Sequence, residues 1–135
     1  MSVIKNKRSL STTQFLTNLC LLMKEVRVWC ESQGKRNDNY GLTDLFQACK
    51  NAYVCAVMAN NQFPKDKESV AYRKVYFDKA VSWLHTFDCE LTAMCACHPI
   101  SNTKIKRWMK YVFVSRNQIE AIKKSDNKRI NKKKV

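Results

Sequence analysis

The chain reads as an all-α protein, an antiparallel up-down four-helix bundle, and three observations support this. Of its 135 residues only two are glycine (Gly34, Gly41) and two are proline (Pro64, Pro99). An all-β chain needs a turn about every ten residues and could not be built with so few breakers. Four stretches repeat apolar residues at alternating spacings of three and four, which lines one face of a helix and leaves the other polar. Hydrophobic residues make up 45% of the sequence and charged residues 27%, enough apolar material for one core in a single domain of this size. No stretch has comparable strand character, and no internal repeat is visible.

The first helix is expected to open at Ser11, where Ser11 followed by Gln14 fits a capping box. Its stripe is Phe15, Leu19, Leu22, Val26 and Trp29, and it stops near Gly34 in the polar loop "QGKRNDN". The second runs from about residue 42 to 63, with Leu45, Cys49, Ala52, Ala56, Asn60 and Phe63 on one face, widened by Phe46, Tyr53 and Val57. Pro64 ends it, since proline lacks an N–H and disfavours helix in the residue before it.

The third helix, residues 66–98, holds Val70, Arg73, Phe77, Ala80, Leu84, Phe87, Leu91, Met94 and His98 in register. At the helical rise it spans about 48 Å, and Pro99 terminates it. The fourth starts after Ser101, a suitable N-cap. Its stripe is Ile105, Trp108, Val112, Ser115, Ile119 and Ile122, with Met109, Phe113 and Arg116 alongside. Apolar residues thin out after Lys124. The expected layout is therefore a flexible basic N-terminus (1–10), the bundle (11–124) and a disordered basic tail (125–135).

The net charge is +14, which draws polyanions: nucleic acid, an acidic protein or an anionic membrane surface. No stretch approaches the ~18 apolar residues of a membrane span, and no apolar segment with a small-residue cleavage site follows the basic N-terminus. Seven cysteines, an odd number, argue against a disulfide scaffold and for reduced thiols, so the expected location is the cytoplasm.

The charge is concentrated. Residues 104–134 hold twelve Lys and Arg against two acids, Glu120 and Asp126. Lys104, Lys106, Arg107 and Lys110 crowd the first turns of helix four, where the helix dipole already disfavours cations. A ligand anion there would meet both side-chain charge and free N–H groups. Arg73, Lys74 and Lys79 form a second group, which an antiparallel bundle brings near Arg116, Lys123 and Lys124. With Lys128 and Arg129 these residues make the candidate surface for nucleic acid or a partner. Phosphate neutralisation gives such a surface sequence-independent affinity. No zinc-finger spacing, phosphate loop or RNP-type strand supports base-specific reading. A docking surface for an acidic protein is the alternative.

The stretch "MCACHP" (residues 94–99) places Cys95, Cys97 and His98 together, with Cys89 upstream. Cys95 and Cys97 lie about 200° apart on a helix and point to opposite sides, whereas Cys95 and His98 can share a face. Two ligands do not close a zinc site. The expected role is core packing or that of simple thiols, with metal binding by Cys89, Cys95, Cys97 and His98 left open. His85 flanks the helix-three stripe without a catalytic partner. No constellation of nucleophile and base is present, so the chain is expected to be non-enzymatic, without catalytic residues and without a cofactor.

Three stretches resemble a known family: "YGLTDLFQACKNAYVCAVMANNQF" (40–63), "YFDKAVSWLHTFDCELTAMCACHPIS" (76–101) and "IKRWMKYVFVSRNQIEAIKKS" (105–125). Together they are similar to the four-helix-bundle family that includes the accessory variability determinant of diversity-generating retroelements, with relatives encoded in ribosomal-RNA intervening sequences. They cover about half of the chain, which departs from the pattern in its many cysteines and its long lysine tail. The resemblance implies a homopentameric barrel of bundles with a basic exterior. It implies a non-catalytic accessory protein that binds the retroelement's reverse transcriptase and its template RNA, and by extension the cDNA, during mutagenic copying. Arg73, Lys74, Lys79, Arg107, Lys110 and Arg116 occupy the helical segments where that family carries basic surface residues. An intervening-sequence-type protein without a reverse transcriptase partner is the other branch of the same resemblance.

Overall fold

The computed structural model describes residues 3–33 and 41–133; the loop expected after Gln33 lies outside the described residues. Four helices account for nearly all of them: α1 (Val3–Gln33), α2 (Leu42–Asn61), α3 (Lys67–Cys97) and α4 (Asn102–Lys133). Each packs chiefly on two others, in the ring α1, α2, α3, α4 and back to α1. The described residues contain no strand.

The buried stripes of α1 and α3 follow the expected spacing, as does the centre of the α4 stripe. Phe15, Leu19, Leu22, Val26 and Trp29 of α1 face Phe77, Ala80, Leu84, Phe87, Leu91 and Met94 of α3 and Trp108, Val112 and Ile119 of α4 across one core. Each large side chain removed from water in this way contributes about 1.5–3 kcal/mol. On α2 the buried positions are mostly small (Ala48, Ala52, Ala56, Ala59). Small side chains let two helix backbones approach, and α2 and α3 share the most extensive backbone packing in the bundle.

Local signals set several helix ends. Asp66 caps α3, accepting from the Ser69 N–H at 2.8 Å, while Ser69 Oγ accepts from the Asp66 N–H. Ser101 caps α4 through a bond from the Lys104 N–H to Ser101 Oγ. Gly41 stands before α2 with φ of 84°, a left-handed conformation open to glycine at no steric cost. At the far end of α3, the half-buried His98 sets its ring edge-on to Trp29, which in turn meets Trp108.

Three expectations are corrected. Helix α1 begins at Val3, not at Ser11, because no glycine or proline interrupts residues 3–10 and nothing there stops a helix. Residues 125–133 are not a disordered tail but the last turns of α4, held by Asp126, which is only 6% exposed. Phe63 is not on the core face of α2. The helix ends at Asn61 and Phe63 is 65% exposed beyond it.

Candidate nucleic-acid interface

The structure sorts the expected basic residues by what already holds their charge. Arg73 is buried and is removed from the surface set. Its Nε donates to Asp126 Oδ2 at 2.7 Å, and its Nη1 donates to the carbonyls of Gln62 (2.7 Å) and Ala59 (3.2 Å). It lay on the apolar stripe because it belongs to the core. A buried guanidinium needs a paired carboxylate and filled donors, and both are supplied here.

Lys123 is largely covered and is bound by Asp78 and Glu120. Burial alone would lower its pKa, but its hydrogen bonds to the two acids outweigh this and hold it above its usual value. Asp78 mirrors it. Partial burial would raise its pKa, but hydrogen bonds from Lys123 and Lys74 hold the carboxyl below its ordinary range. Arg107 pairs with Glu25 of α1, and Lys74 pairs with Asp78 at 3.0 Å. Lys79 lies over the ring of Tyr76 and Arg129 over that of Phe63. Lys104 and Arg116 are half-buried.

Four of the expected residues remain: Lys106, Lys110, Lys124 and Lys128. All four are exposed, and none is in an ion pair with a described residue. At about 100° per residue they fall within about 40° of one another on the outer face of α4, over about 33 Å of helix. The two acids of α4 do not offset them, since Asp126 turns inward to Arg73 and Glu120 is bound to Lys123. Phe113, expected beside the core stripe, is instead 57% exposed on this same face. The spacing itself marks it: at about 100° per residue Phe113 lies about 140° from Trp108 and about 80° from Ile105, off the core stripe.

The "MCACHP" stretch forms no ligand set. Cys89, Cys95 and Cys97 are exposed on α3, and among the described residues no three His, Cys, Asp or Glu side chains converge. Between α1 and α4 lies an open groove of about 500 Å³, lined by Leu21, Val28 and Trp29 with Lys24, Glu25, Lys104 and Arg107. No described helix is long and apolar enough to cross a membrane. No family model, curated protein or solved structure matches the chain, so the resemblance to the retroelement accessory family rests on its residue patterns alone.

Proposed function

We propose that this protein is a non-catalytic nucleic-acid-binding accessory subunit, built as an antiparallel up-down bundle, that works beside a reverse transcriptase on its template RNA. One observation carries the nucleic-acid reading: the row of unpaired lysines at 106, 110, 124 and 128 along a helix whose two acids are engaged elsewhere. Contacts between the end of one helix and the start of a neighbour, the end of α4 with the start of α3 through Asp126 and Arg73 and the end of α1 with the start of α2 through Cys30 and the Leu42 carbonyl, support the antiparallel order. The reverse transcriptase, the template and a pentameric barrel come from the family resemblance. An oligomer would present the lysine row several times over, so that weak phosphate contacts add through multivalency.

The test is binding of RNA to the purified chain across a salt series. Affinity should fall steeply, and changing all four lysines to glutamine should flatten the log–log slope by about 0.7–0.9 for each phosphate that is no longer neutralised. A flat plot for the unmodified protein rejects the electrostatic mechanism. Co-purification with a co-expressed reverse transcriptase tests the partner, and light scattering at five times the chain mass tests the assembly. A second reading, a docking adaptor for an acidic protein, is favoured by the apolar groove beside Lys24, Lys104 and Arg107. It predicts no RNA binding at any salt.

A further inference from the structure

Phe113 is a large apolar ring, 57% exposed on the lysine-bearing outer face of α4. Among the described residues it has no ring partner, and it sits outside the set of side chains packed on the core. By helical geometry it lies within about 60° of all four unpaired lysines, about 10 Å along the axis from Lys106 and about 16 Å from Lys124. Glu120, two turns on, is the acid of this face, and Lys123 holds it. A ring flanked on both sides by lysines is the arrangement that single strands recognise. Phosphates bind the cations, and an unstacked base lies on the aromatic face. In a duplex the bases are already stacked on one another, so Phe113 would have nothing to receive.

We propose that the outer face of α4 is a single-strand-binding surface on which Phe113 stacks a nucleobase between the lysine pairs Lys106/Lys110 and Lys124/Lys128. This rests on the nucleic-acid reading above and narrows it to unpaired RNA or DNA.

The experiment compares binding of a fluorescent oligouridylate and of an RNA duplex of equal length by the full chain, Phe113→Ala, Phe113→Trp and the four-lysine variant, with light scattering on each. The expected result is that Phe113→Ala weakens oligouridylate binding by about 5- to 150-fold and leaves its salt slope and the duplex affinity unchanged. Phe113→Trp should retain binding. Circular dichroism should show the helical content intact in both, since the ring contributes little to the core. Equal losses for strand and duplex, or no loss, overturn the proposal while the charge reading stands, provided the lysine variant still weakens both. A change in molecular mass that accounts for the weaker binding makes Phe113 an assembly contact and also overturns it. If the unmodified chain binds neither probe, both readings fall together.

Discussion

Arg73 and Asp126 lie 53 positions apart in the chain and form a buried ion pair of 2.7 Å, with both side chains less than a tenth exposed. The same guanidinium donates to the Ala59 carbonyl, which also accepts the Gln62 N–H, and to the carbonyl of Gln62 just beyond the end of α2. One side chain therefore ties the end of α2, the start of α3 and the end of α4. Removing its carboxylate partner strands a buried charge, so Asp126→Ala should cost about 3–5 kcal/mol in urea denaturation. The double variant Arg73→Met with Asp126→Leu should be more stable than that single one. A loss below about 1 kcal/mol for Asp126→Ala would show that the pair is not buried in solution.

Gly41 is fixed by its backbone: its φ of 84° is left-handed, while a Cβ there would meet only the flexible end of the Met94 side chain, which can move aside. Gly41→Ala is expected to lose about 1–2 kcal/mol from the backbone alone. Gly41→Asn, which accepts left-handed backbone more readily, should recover part of that loss, with the end of the Met94 side chain shifting in both variants. Thermal melts of the two variants separate these contributions, and an Ala variant as stable as the parent would refute the conformation.

Ser115 lies on the core stripe of α4, fully buried, and its Oγ has no hydrogen-bond partner among the described residues. An unsatisfied buried hydroxyl is costly, so Ser115→Ala should stabilise the bundle by about 1 kcal/mol. A marked loss of stability would mean that the hydroxyl finds a partner.

The Asp78–Lys123 pair predicts opposite pH limbs. Lys123 has its pKa raised above 10.5 in the fold, so its contribution is complete below that value and is lost as pH climbs through the raised one. Asp78 has its pKa lowered below 3.8, so its contribution is present above that value and is lost as pH falls through the lowered one. Asp78 is 43% exposed, which keeps the effect under about 1 kcal/mol. The stability difference between the parent and Lys123→Met should be level between about pH 5 and 9 and shrink at both extremes. A difference that changes across neutral pH would refute the assignment.

The thiols should react in two groups. Cys20, Cys89, Cys95 and Cys97 are exposed, whereas Cys49 is buried. Burial, with the Glu31 charge, pushes the Cys30 thiol up to about 11, and burial pushes Cys49 up as well. A thiol reagent at pH near 8 should label the four exposed cysteines quickly and Cys49 only on unfolding, since the thiolate is the reacting form. Rapid labelling of Cys49 in the folded protein would contradict the core placement.

Much of this architecture was legible in the sequence, because helix formation depends on near neighbours. The 3-and-4 spacing of Phe15 to Trp29 and of Val70 to Met94 identified the stripes that the structure buries, and Ser101 marked the start of α4. The concentration of charge on α4 was equally plain. What the sequence could not decide was which cations remain free. The register of Arg73 placed it on the core stripe of α3, but its partner Asp126, 53 positions on, could not be read from the sequence, whereas Lys106 is exposed with no ion pair to a described residue. The same pairing carries α4 past residue 124, where composition alone suggested a disordered tail. Periodicity is a local property of the chain and already turns Phe113 away from the core stripe, whereas the partner of a charge depends on segments far apart in sequence. Only the packing of the four helices brings those segments together or leaves them open.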